Sequence, residues 1–137
     1  AREVTEAVTK AVKQDFPEKY VVIAAYSDFQ RLNTISPFMI SQLVADAGAD
    51  IAMIDTGIKD GKSTFEFMDE TALIRFVEQN RELGLQTALA GSLKFEDLVA
   101  LKRINPDVIG VRGMVCGGDR SATIRAELVE KAMKMLR

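Results

Sequence analysis

Asp55 and Lys59 stand four residues apart in the run Ile51-Ala52-Met53-Ile54-Asp55-Thr56-Gly57-Ile58-Lys59-Asp60-Gly61-Lys62, which passes from an apolar strand pattern into a loop of charge and glycine. A lysine held near a carboxylate serves as an acid or stabilises an anionic intermediate, and one desolvated enough to lose its proton can form a Schiff base with a carbonyl. The plainer alternatives are an aspartate that hydrogen-bonds the turn after it and a solvated loop lysine. Position favours chemistry, because open α/β sheets and α/β barrels place their reactions at the carboxyl ends of strands. Lys62 reads as solvated, or as a weak phosphate contact. The chain has no histidine, so proton transfer near neutral pH falls to Lys, Asp, Glu, Tyr or Cys, and metal sites lose their commonest ligand.

A second group of residues reads as an anion site. Gly91 and Ser92 in one loop, and Gly113, Gly117 and Gly118 in a later one, let backbone N–H groups approach a ligand closely, with helix N-termini expected just behind them. Arg112 or Arg120 can add a bidentate clamp on a phosphate, or pair with Asp119 in a purely structural bridge. Tyr26 and Asp28 end an earlier strand and are candidates to line the same cavity, against packing and turn roles. Cys116, beside the glycines of the later loop, is a candidate nucleophile, but with no histidine to activate it the better reading is a buried or semi-buried structural thiol.

The elements that must position these residues follow a rhythm of strand then helix. A helix with Val4, Ala7, Val8, Ala11 and Val12 on one face opens the chain, and the apolar runs at residues 20–25, 50–54, 86–90 and 108–111 predict four strands. Ser36-Pro37 predicts the start of a helix that Gly48 closes; Asp69 caps another, with Leu73, Phe76, Val77 and Leu83, that Gly84 stops. Ser92 is expected to start a shorter helix with Leu98 and Leu101, and Ile124, Leu128, Ala132 and Leu136 form the stripe of the last one. The strands are almost continuously apolar, which predicts burial on both faces in a parallel sheet covered by helices. Two closures fit: a small open doubly wound sheet, or half of an eight-stranded barrel with unpaired strand edges. The helical start favours the barrel, in which the two glycine loops follow strands seven and eight, the usual phosphate position.

Composition bounds the rest. The 137 residues, 47% hydrophobic and 28% charged, suffice for one domain over residues 1–137 with a real core. A net charge of −2 with scattered Lys and Arg argues against nucleic acid as a partner. One cysteine excludes an internal disulfide, no apolar run approaches the roughly 20 residues of a membrane span, and no secretory signal is visible, so the expected compartment is the cytoplasm.

The segments VVIAAYSDFQR, DAGADIAMIDTGIKDGK, LGLQTALAGSLK and IGVRGMVCGGDR resemble those of the (5-formylfuran-3-yl)methyl phosphate synthase family across nearly the whole chain. The resemblance implies a (β/α)8 TIM barrel of which this chain supplies the last four βα units. It also implies a lyase of methanofuran biosynthesis that condenses two molecules of glyceraldehyde 3-phosphate, losing one phosphate and water, without metal or organic cofactor. Asp55 and Lys59 match active-site positions, and the last glycine loop matches a holder of substrate phosphate. The family's Schiff-base lysine and a second catalytic lysine belong to its first four strands. Lys59 therefore takes a supporting acid/base role, and the implied partners are a phosphorylated small molecule, the complementary N-terminal half of the barrel and, for the assembly, further copies of itself. The isolated chain is expected to be inactive.

Overall fold

The computed structural model describes residues 1–137. Four parallel strands, β1 (Val22–Tyr26), β2 (Ile51–Asp55), β3 (Gln86–Leu89) and β4 (Val108–Ile109), lie in the order β1-β2-β3-β4. Around them run α1 (Arg2–Asp15), α2 (Phe29–Leu32), α3 (Pro37–Ala47), α4 (Glu70–Glu82), α5 (Asp97–Ile104) and α6 (Ala126–Leu136), with 3-10 turns at Thr64–Glu66 and Gly113–Cys116. The strand order never reverses. A doubly wound sheet requires such a reversal, so of the two closures expected from sequence this one does not form.

The sheet has two unlike faces. Ile23, Ala25, Ala52, Ile54, Leu89 and Ile109 share one face and join the apolar core beneath the helices, among Val44, Leu73, Phe76, Leu98 and Leu101. The other face carries Met53 and Ala88 on the inner strands, with Val22 and Ala24 on β1 and Val108, followed by Gly110, on β4. Val22 and Val108 are each 45% exposed. Burial on both faces, expected of all four strands, therefore holds for much of β2 and β3 and fails for β1 and β4, whose outer edges have no strand beside them.

Helix ends follow local chemistry. Ser36 Oγ accepts from the Phe38 N–H at 3.3 Å with Pro37 behind it, and Asp69 Oδ1 accepts from the Ala72 N–H at 2.8 Å, each meeting one of the amides a helix start leaves unpaired. Gly48 supplies the left-handed C-terminal turn of α3 (φ +75°). α1 departs from expectation: Thr5 and Thr9 are its buried residues, whereas Val4 and Val8 face solvent. Polar contacts hold α1 in place, with Lys13 Nζ 2.8 Å from Asp50 Oδ2 while that carboxylate accepts the Val21 N–H at 2.7 Å. Ser92 does not start a helix. It is left-handed (φ 48°), and α5 begins five residues on, at Asp97. Ile124 likewise precedes α6 and is exposed. No helix is long and apolar enough to cross a membrane.

Candidate functional site

Asp55 ends β2, beside Tyr26 in register, at the carboxyl edge of the sheet. Its Oδ1 accepts from the Thr56 N–H at 2.7 Å and from Lys59 Nζ at 2.7 Å, and Lys59 also donates to Thr56 Oγ1 at 2.9 Å. Aspartate and lysine are each about one-third exposed and face a cavity of about 860 Å³. An ammonium has three N–H donors, and two are used here, which leaves one for a ligand. Oδ2 of Asp55 makes no bond within the chain and is free to accept a proton.

The cavity gathers most of the residues singled out from sequence. Gly91, Ser92, Arg112, Gly113, Gly117, Gly118 and Asp119 line it, together with Met53 and Gly110 on the open sheet face. Lys94, Phe95, Arg120 and Arg125 line it too. Lysines 59 and 94 and arginines 112, 120 and 125 outnumber the two lining carboxylates, Asp55 and Asp119, so the cavity is electropositive although the chain is not. Within it Arg112 Nε donates to the Arg120 carbonyl at 2.9 Å, while Asp119 accepts the Ser121 N–H at 2.9 Å and shapes its own turn. No cluster of Asp, Glu or Cys is placed to hold a metal ion.

Several expectations change. Tyr26 lies on the open sheet face but at its outer edge, and does not line the cavity. Asp28 is buried and turned away from the cavity, onto the backbone of the 57–58 loop. Neither α5 nor α6 starts directly behind its glycine loop, although Arg125, just before α6, lines the cavity. Asp97, the first residue of α5, turns its carboxylate back to accept the Lys94 N–H and the Ser63 hydroxyl, both at 2.8 Å, and α6 begins well past Gly118, at Ala126. Gly91 is required by crowding: a Cβ there would lie 2.3 Å from Thr64 Oγ1 and 2.8 Å from the Thr56 nitrogen, at φ +105°. Cys116 is buried in the 3-10 turn, as the structural reading anticipated. Thr56, Lys94 and Arg125 were not picked out from sequence. Lys94 and Arg125 add to the electropositive excess, which is a property of the assembled cavity.

These features define a class: an α/β protein with helices packed on one face of a parallel sheet, and a carboxylate–ammonium pair over a cation-rich cavity at the strands' carboxyl ends. Comparison with known proteins narrows it. The chain belongs to the 4-HFC-P synthase family, whose model matches residues 1–133. It is 60% identical over 131 residues to the (5-formylfuran-3-yl)methyl phosphate synthase of Methanosarcina acetivorans and 58% identical to that of Methanosarcina mazei. Each match covers 96% of this chain and 56% of the relative. The enzyme of the same name from Archaeoglobus fulgidus is 46% identical, over 98% of this chain and 57% of its own. The chain thus spans little more than half the length of these relatives. Among solved structures, phosphoribosyl anthranilate isomerase from Thermus thermophilus aligns over the whole chain and 82% of its own at a TM-score of 0.36 and 13% identity, too slight a likeness to carry fold or function across.

Proposed function

We propose that this chain is the carboxyl-terminal half of a (β/α)8 barrel that synthesises (5-formylfuran-3-yl)methyl phosphate for methanofuran from two molecules of glyceraldehyde 3-phosphate, a lyase reaction with loss of one phosphate and of water. The observation that carries this reading is the Lys59–Asp55 contact of 2.7 Å inside an electropositive cavity, in a chain of this family. Joining the two substrates requires an iminium to acidify a carbon next to a carbonyl, a base to take its proton and cations to hold phosphate. Asp55 Oδ2 is the base or proton relay. The unused N–H of Lys59 donates to the oxygen that leaves or becomes anionic. Arg112 and Arg120, with the amides of Gly113, Gly117 and Gly118 and the loop at Gly91 and Ser92, hold one phosphate. The Schiff-base lysine and the second half of the cylinder lie on residues outside this chain, and the unpaired edges of β1 and β4 are where that half joins.

Borohydride trapping with glyceraldehyde 3-phosphate, on this chain alone and after joining it to the N-terminal half of a relative, tests the reading. An adduct only in the joined protein, on the added half, is expected. An adduct on Lys59 in the isolated chain would instead give Lys59 the electrophilic role, as in another lysine-dependent aldolase. Phosphate binding with no adduct in either sample would make the chain a non-catalytic phosphate-binding module.

A further inference from the structure

Lys59 sits in a loop of glycine and charge that has no regular structure of its own, yet its ammonium is held by two partners. The loop backbone around it is held from outside. Asp28, whose side chain is fully buried, accepts the Gly57 N–H on Oδ1 at 2.7 Å and the Ile58 N–H on Oδ2 at 3.1 Å. Arg31, one helical turn on, bonds Asp60 at 2.6 Å, reaches within 3.9 Å of Asp28 and lies over the Phe67 ring at 5.2 Å. Leu32 closes the contact: a Cβ on Gly57 would lie 2.0 Å from Leu32 Cδ1, so this side chain packs directly on the loop. The holds fall at residues 57, 58 and 60 and bracket residue 59.

We infer that the turn Asp28–Leu32 is the positioning element for Lys59, with Asp28 and Arg31 clamping the loop on either side so that the ammonium meets Asp55. The inference rests on the reading of Lys59 as the proton donor, and it adds the residues that hold it there. Asp28 suits the task because it is ionised: burial alone would push its carboxyl up, but the Gly57 and Ile58 amides, its own backbone amide and Arg31 hold it below the ordinary range. A buried, ionised carboxylate tolerates few arrangements of its donors, so the loop is confined to one.

The test needs no substrate. In the chain carrying Asp28→Asn or Arg31→Gln, the rate of Lys59 acetylation by acetic anhydride is compared with that of Lys10 on α1 by mass spectrometry, alongside amide exchange at Gly57 and Ile58. Release of the loop is expected to speed Lys59 labelling by at least about 5-fold in either variant and, in Asp28→Asn, whose carboxylate holds them, to deprotect both amides, with Lys10 unchanged. Lys59 labelling at the wild-type rate in a folded variant overturns the inference, and so does a rise shared equally by Lys10, which would report general loosening. Should Asp28→Asn fail to fold, Arg31→Gln decides alone, since Arg31 is partly exposed and its loss leaves the buried carboxylate with both amides. A missing Schiff-base adduct would sink the reaction proposed above and leave this result standing.

Discussion

At the scale of single residues, short-range bonds close the Asp55–Lys59 pair once the loop is in place. Asp55, Thr56 and Lys59 bond one another within 3 Å, so under the proposed reaction losing either end of the pair removes proton transfer and leaves the glycine loops in place. In the joined barrel, Lys59→Gln and Asp55→Asn are each expected to lower kcat about 10²- to 10⁴-fold, with KM changed less, which steady-state kinetics would show. Gly91 answers to a different constraint. Gly91→Ala drives a Cβ into Thr64 and the Thr56 backbone at a φ that L-residues avoid, and is expected to cost about 2 to 4 kcal/mol in urea unfolding. The pair was legible in sequence because a strand end and a four-residue spacing are local facts. Asp28 was placed in the wrong surroundings because the alternation of β1 stops where the chain turns into α2, and a four-residue helix leaves no periodicity to read. Lys94 and Arg125 were missed because they enter the cavity from irregular segments.

At the scale of elements, Asp50 ties α1 to the sheet by holding Lys13 and the Val21 amide at once. Asp50→Asn is expected to destabilise by about 2 kcal/mol, read from the denaturation midpoint. Burial pushes the carboxyl of Asp50 up, and Lys13 and the Val21 amide outweigh it, leaving it, like Asp28, below the ordinary 3.8. The unfolded chain then binds these protons first as pH falls, so the stability they add is full above 3.8 and is lost as pH drops through the lower folded values. Unfolding midpoints taken from about pH 6 to pH 3 should decline most below 4, and the decline should flatten in Asp28→Asn and Asp50→Asn. Four strands and the helices starting at Pro37 and Glu70 could be read from caps and apolar runs. The late start of α5 could not, because Ser92 resembles a cap in type while its backbone is left-handed. The apolar stripe of α1 misled for a related reason: packing chose the threonine side of the helix.

For the whole molecule, the open face and edges dominate. Val22 and Val108 lie exposed on the outer strands, whose free edges offer unpaired backbone groups, and Val4 and Met133 lie exposed on the first and last helices. Alone at rising concentration, the chain should self-associate in light scattering. Adding the N-terminal half of a relative should suppress this and protect the amides of β1 and β4 from hydrogen exchange, whereas no change in protection would disprove joining at those edges.

The floor of the cavity is set by the sheet face that carries Ala90 and Gly110 around Met53, opposite the large side chains gripped by the helices. Bulk on one side of the strands is therefore separable from room on the other. Exchanging Ala90 on this floor for a longer residue would shorten the guest that fits while leaving the scaffold's glue untouched, so under the proposed function the size of acceptable substrate can drift without the architecture having to follow.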